Sequence, residues 1–342
     1  MKVLWLSPWM RPLARIHADL LRDAGHEVRL VTTNQHPESG EPVADEWVVD
    51  PRFKRPWTWP ALWRLRRRVR AFSPDVVVTE LVRDPRWILL DRAAPRIDVV
   101  HDDRPHDALE AVPAWERRAF ARWRAGAALT IVHSHYVADH IDADPTALVP
   151  LSSDLPESQV PPLVPADARR DFVLTGRLNE YKNIPVVLRA WSRHHRGPMH
   201  RGDELVLIGE ADRDLDLPAG VRWERGPFRY ADQVLTIARA KGAIAHYRVA
   251  SQSGVQVLAM QLGVMPIVSG QGALPQFQPP GGPIVGVDDV AGLTAAFDRL
   301  ANADVAEAQG RAARQTFERR HSPDVVAGAL VAALSRAVAG PG

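Results

Sequence analysis

The sequence predicts an α/β fold of two doubly wound parallel-sheet domains, and three observations carry that prediction. Short apolar runs alternate with amphipathic runs of helical period, as at residues 3–6, 13–25 and 27–32; strand–helix–strand at this spacing is one unit of a parallel sheet. The length of 342 residues suits two domains of ordinary size. A Pro-, Ser- and Asp-rich stretch at 142–169 separates the halves, with the composition of a linker.

Composition narrows the function classes. Charged residues make up 25% and the formal net charge is +2, so no global attraction to nucleic acid is implied. There is no cysteine, which removes disulfides, thiol nucleophiles and Cys-type zinc sites together and fits a reducing cytoplasm. MKVLWLSPWM is interrupted too soon for a signal peptide and reads as a first strand. No apolar run approaches the ~20 residues that span a bilayer. Arg outnumbers Lys, and Ala and Pro abound, a usage expected of a GC-rich bacterial genome.

After the first strand, residues 7–12 form a turn, and an amphipathic helix follows that Gly25 closes. Residues 52–70 hold eight basic residues and three tryptophans, with no acid until Asp75. Leu62, Leu65, Val69 and Phe72 keep helical spacing while the arginines take the other faces. Such a helix can lie on an anionic membrane, cover an anionic acceptor, or simply be a solvated surface; no nucleic-acid motif accompanies it. Peripheral membrane contact through 52–70, at the inner face of the membrane, is the expectation taken forward. PDVVVTEL at 74–81 is a buried strand, and IDVVHDD at 97–103 is another that ends at His101. The carboxyl ends of strands carry the ligand crevice of an open α/β sheet. His101, Asp102, Asp103 and His106 crowd into one loop; adjacent residues rarely aim at one ion, so no metal is expected. Residues 116–141 read as helix, strand and a helix capped near Ser134. The second half starts with the strand DFVLTG, then helix and strand alternate to a helix from Val290 and a last helix from Ser322.

The centre of the second half is 246–275, HYRVASQSGVQVLAMQLGVMPIVSGQGALP. A hydroxyl-rich loop leads into a short helix with Val255, Leu258 and Leu262 on one face. Ser251 or Ser253 can cap this helix, and Gly254 lets a ligand approach the backbone. No Asp or Glu occurs between Lys241 and Val287. An acid-free loop at a helix N-terminus suits a phosphate-bearing ligand; the plainer alternative is an ordinary loop, helix and strand of an α/β core.

ASQSGV followed by GVMPIVSGQGALP resembles the donor segment of glycosyltransferase family 4, in the branch with an A-(S/T)-Q-S-G loop. TGRLNEYKN at 175–183, GHEV at 25–28 and VHDD at 100–103 resemble further segments of that family, in the same order. The resemblance implies the GT-B fold, two Rossmann-like domains facing across a cleft. Its parts would be an acceptor domain at 1–150, a linker at 151–169, a donor domain at 170–321 and a helix at 322–342 packing back on the first domain. It implies a hexosyltransferase-like enzyme using a nucleotide-diphosphate sugar, retaining and metal-independent, with no cofactor and no nucleic acid. The acceptor would be a glycan, lipid-linked or small molecule. Catalytic roles fall on His101, Arg177 and Lys182. Donor binding falls on Gly176, Arg177, Lys182, Ser251, Gln252, Ser253, Gly254 and Gln256, and the acceptor side on Asp102, Asp103 and His106. Arg177 and Lys182, five residues apart, would neutralise the departing diphosphate.

The chain departs from the family at the acids. Most members carry two glutamates around the donor loop; here Ala250 and Leu258 or Ala259 align with them. Val249 and Gln276 stand where further acids are common. Ribose and sugar hydroxyls would then be read by Gln252, Ser253, Gln256 or backbone groups. An altered donor, pseudo-glycosyltransferase chemistry and a degenerate homologue that binds nucleotide or a partner all stay open.

Overall fold

The structure, a computed structural model, describes residues 1–35, 41–52, 54–82, 84–90, 94–103, 114–226 and 230–340. It divides into two compact units, Met1–Ser152 with Pro323–Gly342, and Ser153–Ser322.

In the first unit, β1 (Lys2–Ser7), β2 (Glu27–Thr32), β3 (Glu46–Val48), β4 (Val76–Glu80), β5 (Arg96–Val100), β6 (Leu129–Val132) and β7 (Thr146–Leu148) form one sheet. Its order is β3-β2-β1-β4-β5-β6-β7, and every pairing is parallel. Alternation along β1 sends Val3 and Trp5 to one face and Leu4 and Leu6 to the other. The first face is covered by α1 (Arg11–Asp23) through Ala14, Ala18 and Leu21, and by α11 (Pro323–Ala339) through Val326, Leu330 and Leu334. The second is covered by α2 (Trp59–Phe72) through Leu62, Leu65, Val69 and Phe72, and by Phe120 of α3 (Ala114–Arg124). Ser134 caps α4 (His135–His140), its hydroxyl accepting from the Val137 amide. β3 escapes the periodicity because it is three residues long. Its Glu46 is buried and paired with Arg15 of α1.

In the second unit, β8 (Phe172–Thr175), β9 (Leu205–Ile208), β10 (Val221–Glu224), β11 (Gly242–Ala245), β12 (Pro266–Ser269) and β13 (Ile284–Val285) pair in the order β10-β9-β8-β11-β12-β13. These pairings are parallel too. On one face Val234, Ile237 and Ala238 of α6 (Tyr230–Ala238) pack with Leu258 and Ala259 of α7 (Gly254–Gln261). Beyond α7, the short α8 (Leu274–Phe277) follows β12. Elsewhere Phe172 meets Trp191 of α5 (Ile184–Arg196) and Phe297 of α9 (Val290–Leu300), with ring centroids 5.8 Å and 5.1 Å away.

Two expectations change. Within the stretch expected as the linker, 151–169, the division falls after Ser152, and residues 153–169 belong to the second unit. Leu155, Val160 and Val164 pack on its core, Gln261 Nε2 donates to Leu155 O at 3.0 Å, and the buried Arg169 donates to Val164 O and Gly263 O. The tail also holds a helix that periodicity passed over, α10 (Ala303–Arg320). Its buried stripe is mostly small, Ala306, Gly310 and Ala313. A Cβ on Gly310 would lie 2.1 Å from Gly263 O. Residues 303–339 have the length and apolarity of a bilayer-crossing helix, but they are two helices broken at His321 and Ser322, and the apolar face of α11 lies in the first core.

Because α11 closes that core, Leu330→Ala should destabilise the first unit by about 2–5 kcal/mol, read as a lower thermal transition and faster amide exchange in β1 and β4.

Candidate functional site

Each sheet reverses its winding once. In the first unit the reversal lies between β1 and β4, and in the second between β8 and β11. Loops diverge at such switch points and leave a crevice at the strands' carboxyl ends. The residues expected to act lie at or beside these two places, and each group is described within its own unit.

In the second unit, β8 ends at Thr175 and Gly176 follows with φ +96°, a left-handed conformation that glycine adopts without strain. Its lack of a side chain matters too, since a Cβ there would lie 2.8 Å from Lys182 Nζ. A single 3-10 turn, Glu180–Lys182, folds Lys182 back, and its ammonium donates to Thr175 O. The ammonium also lies 5.3 Å from the centre of the Tyr247 ring and 6.0 Å from that of Tyr181. Lys182 is buried and has no carboxylate partner among the described residues, whereas Arg177 is exposed. Burial, with the nearby Arg177 charge, pulls the Lys182 pKa down to about 7. Asn183 supports the turn from the left-handed region, φ 55°. Its Nδ2 donates to Val287 O at 2.6 Å and faces His246 Nδ1 at 3.4 Å. His246 Nδ1 therefore accepts, and its Nε2–H donates to Gly286 O at 3.0 Å. Burial lowers the His246 pKa, consistent with that neutral tautomer.

Ser253 is the cap of α7: its hydroxyl accepts from the Gln256 amide at 3.2 Å and pairs with Tyr247 Oη at 3.1 Å. Burial raises the Tyr247 pKa and keeps the phenol neutral. Ser251 is buried, with its carbonyl accepting from Ala273 N. Gly254 is exposed, and a Cβ there would meet nothing within 4 Å. Gln252 is half-buried, with its Oε1 buried and without a hydrogen-bond partner among the described residues. Gln256 does not join this group. It is fully buried, and its Nε2 donates to Leu274 O at 2.9 Å and Gln278 Oε1 at 3.1 Å. These bonds anchor the turn into α8, so its amide NH₂ is already spent inside the core. Leu258 and Ala259 are buried and apolar.

In the first unit, His101 follows β5 and its Nε2–H donates to Glu80 Oε1 at 2.7 Å. Glu80 ends β4 and accepts from Trp5 Nε1 at 3.1 Å on its other oxygen. Burial opposes both charges. For Glu80 the His101 hydrogen bond and charge prevail and bring its pKa to about 2. For His101 the Glu80 hydrogen bond and charge prevail and raise it above the ordinary histidine value. The two neighbours behave oppositely. His133 lies 4.9 Å from the His101 ring, and burial with the His101 charge lowers its pKa to about 3. Burial likewise brings His17 to about 4. Nδ1–H of His133 donates to Val149 O, and His17 Nε2 pairs with Ser152 Oγ. Asp102 and Asp103 are half-buried beside His101; His106 lies outside the described residues. Among the described residues no three His, Asp or Glu are grouped to hold a metal. Sequence reasoning passed over Glu80, His17 and His133. The available signal for Glu80 was a carboxylate at the carboxyl end of an otherwise apolar strand.

Two outcomes test these charge states. The folded pKa of Lys182 lies below its unfolded value of 10.5, so between about pH 7 and 10.5 the unfolded chain holds more protons and stability rises with pH from this group. Lys182→Met should flatten that rise in unfolding curves recorded across the window. Glu80→Gln removes the group that raises the His101 pKa, so NMR titration should show the His101 ring losing its proton at lower pH.

Residues 14–149 match the family model for Glycosyltransferase Family 4. No curated protein matches the chain by sequence. Solved structures similar to it include sucrose-phosphate synthase from Thermosynechococcus elongatus, at 16% identity and TM-score 0.75, covering 99% of both chains. Anabaena HepE in complex with UDP and glucose is similar at 14% identity and TM-score 0.70, over 98% of this chain and 99% of that one. AviGT4, a glycosyltransferase involved in avilamycin A biosynthesis, is similar at 19% identity and TM-score 0.65, over 100% of this chain and 99% of that one. The chain thus has the two-sheet GT-B fold of these structures, and its residues 14–149 match glycosyltransferase family 4.

Proposed function

We propose that the chain is a glycosyltransferase that moves a hexosyl group from a nucleotide-diphosphate sugar to an acceptor, with retention at the anomeric carbon and no required metal. The observation that carries this reading is Lys182, a buried cation at the carboxyl end of β8, folded against Gly176 and without a carboxylate partner among the described residues. A desolvated ammonium beside an exposed guanidinium is a strong receptor for a diphosphate, because charge-assisted hydrogen bonds gain strength where water is excluded. Arg177 and Lys182 would hold the diphosphate and stabilise the charge that builds as it departs. Gly176 makes room for the folded-back Lys182 and would let the diphosphate approach the backbone, Gly254 would leave room for the phosphates and sugar, and Ser251, Gln252 and Ser253 would offer polar contacts. The bond from the anomeric carbon to the diphosphate oxygen would break as the acceptor oxygen bonds the same face, with the acceptor proton passing to the departing oxygen. His101, held by Glu80, would lie on the acceptor side with Asp102 and Asp103. A UDP-sugar is the first donor to test, since HepE structures contain UDP and UDP-glucose.

A diphosphate placed on Lys182 favours the charged form and raises its pKa again. Binding at pH 8 should therefore take up a proton, measured by calorimetry in buffers of different ionisation heat; Lys182→Met should show no such uptake. Thermal shifts with UDP, GDP, ADP, dTDP and their sugar conjugates, with and without EDTA, test the donor class. Ligand at 100 times its dissociation constant adds about 2.7 kcal/mol. One nucleotide should raise the transition, indifferent to EDTA, and the Arg177→Ala/Lys182→Ala double variant should lose the shift. No shift with any nucleotide would overturn the reading in favour of a homologue that has lost donor binding.

A further inference from the structure

We propose that the outer face of α2, with the turn before it, docks the first unit on an anionic membrane surface. The helix is two-faced. Leu62, Leu65, Val69 and Phe72 fill the core, so the opposite side must carry the rest of the sequence outward. That side carries tryptophan and arginine together. Trp57 is 66% exposed, Trp63 47% and Trp59 38%, and Trp59, Trp63 and Arg67 follow at i, i+4 and i+8 on one stripe. Arg64 and Arg70 are exposed beside that stripe. Eight basic residues and no acid occur over 52–74. The Arg55 guanidinium lies 5.3 Å from the Trp57 ring and the Arg66 guanidinium 5.3 Å from the Trp63 ring.

Three large indoles facing water are unusual on a surface with no apolar function. Paired with arginines on a helix lying along the surface, they match the headgroup region of a bilayer. There an indole sits at the boundary of apolar and wet, and the cations meet lipid phosphates. The face is also held in place. The buried Arg86 donates to Thr58 Oγ1 at 2.8 Å and to Asp50 O at 2.6 Å, and pairs with Asp84 at 2.6 Å. This locks the turn that carries Trp57 to the start of α2. An RNA strand would instead need open aromatic faces for base stacking, whereas the rings of Trp57 and Trp63 already lie under arginines of the chain itself.

The proposal does not depend on the transferase reading, and its test is independent of nucleotide. The full-length protein should pellet with phosphatidylcholine vesicles containing about 30% phosphatidylglycerol, and not with phosphatidylcholine alone. Each arginine near such a surface contributes about a fivefold change in partition. Arg64→Ser/Arg67→Ser/Arg70→Ser should then lower partition by roughly a hundredfold, and added salt should do the same. Trp57→Ala/Trp63→Ala should lower it as well and remove quenching of tryptophan fluorescence by brominated lipid. Unchanged melting transitions would show that both variants fold. Absence of pelleting, pelleting undiminished in either folded variant, or retention on RNA without vesicle binding would overturn the proposal.

Discussion

A parallel strand cannot turn tightly into its neighbour; it must be followed by a loop and a crossover to the same starting edge. Both sheets here are parallel throughout, so every strand delivers its carboxyl end, and the loop after it, to one side of its unit. Glu80 ends β4, His101 and His133 follow β5 and β6 in the same sheet, and Gly176, Lys182 and Tyr247 follow two strands of the second. Their grouping is a consequence of strand direction. The reversals of winding between β1 and β4 and between β8 and β11 then decide which strand ends stand beside open space.

The two groups handle buried charge in opposite ways. In the first unit the charge on His101 is matched by Glu80, and the cluster is rounded off by two histidines that burial keeps neutral. Two opposite charges in contact offset part of each other's burial cost, whereas one alone has no such offset. In the second unit Lys182 has aromatic rings and a carbonyl around it but no counter-charge among the described residues. Its proton is consequently loosely held, and an incoming anion would satisfy a demand that the protein leaves open. The stretch 242–286, which includes Tyr247, contains no Asp or Glu.

The strands were legible as short continuous apolar runs, buried on both faces of parallel sheets, and the α2 face because its apolar residues repeat at a period of 3.6. β3 was not, being three residues long with a glutamate inside it, and α10 was not, because a stripe of alanine and glycine packs by close approach and gives a weak apolar signal. At the site, the glycine, arginine and lysine of TGRLNEYK could be singled out because they lie within one loop. The Glu80–His101 pair could not, since it joins residues 21 apart that meet only when β4 and β5 align. For Gln256 the converse holds. A polar residue in the first turn of a helix looks ligand-facing, and only the packing of α8 against α7 shows that its amide points inward.

The return of α11 to the first core makes that unit discontinuous in the chain, while the second unit is one unbroken segment, 153–322. Domains fold as units, in the order in which they leave the ribosome. Here α1 covers part of the face that carries Val3 and Trp5, and the rest waits for α11, which follows the whole second unit in the chain. The second unit can therefore finish first. Until α11 emerges, the face of the first sheet beside α1 is only partly covered, which is where a chaperone would find the nascent chain.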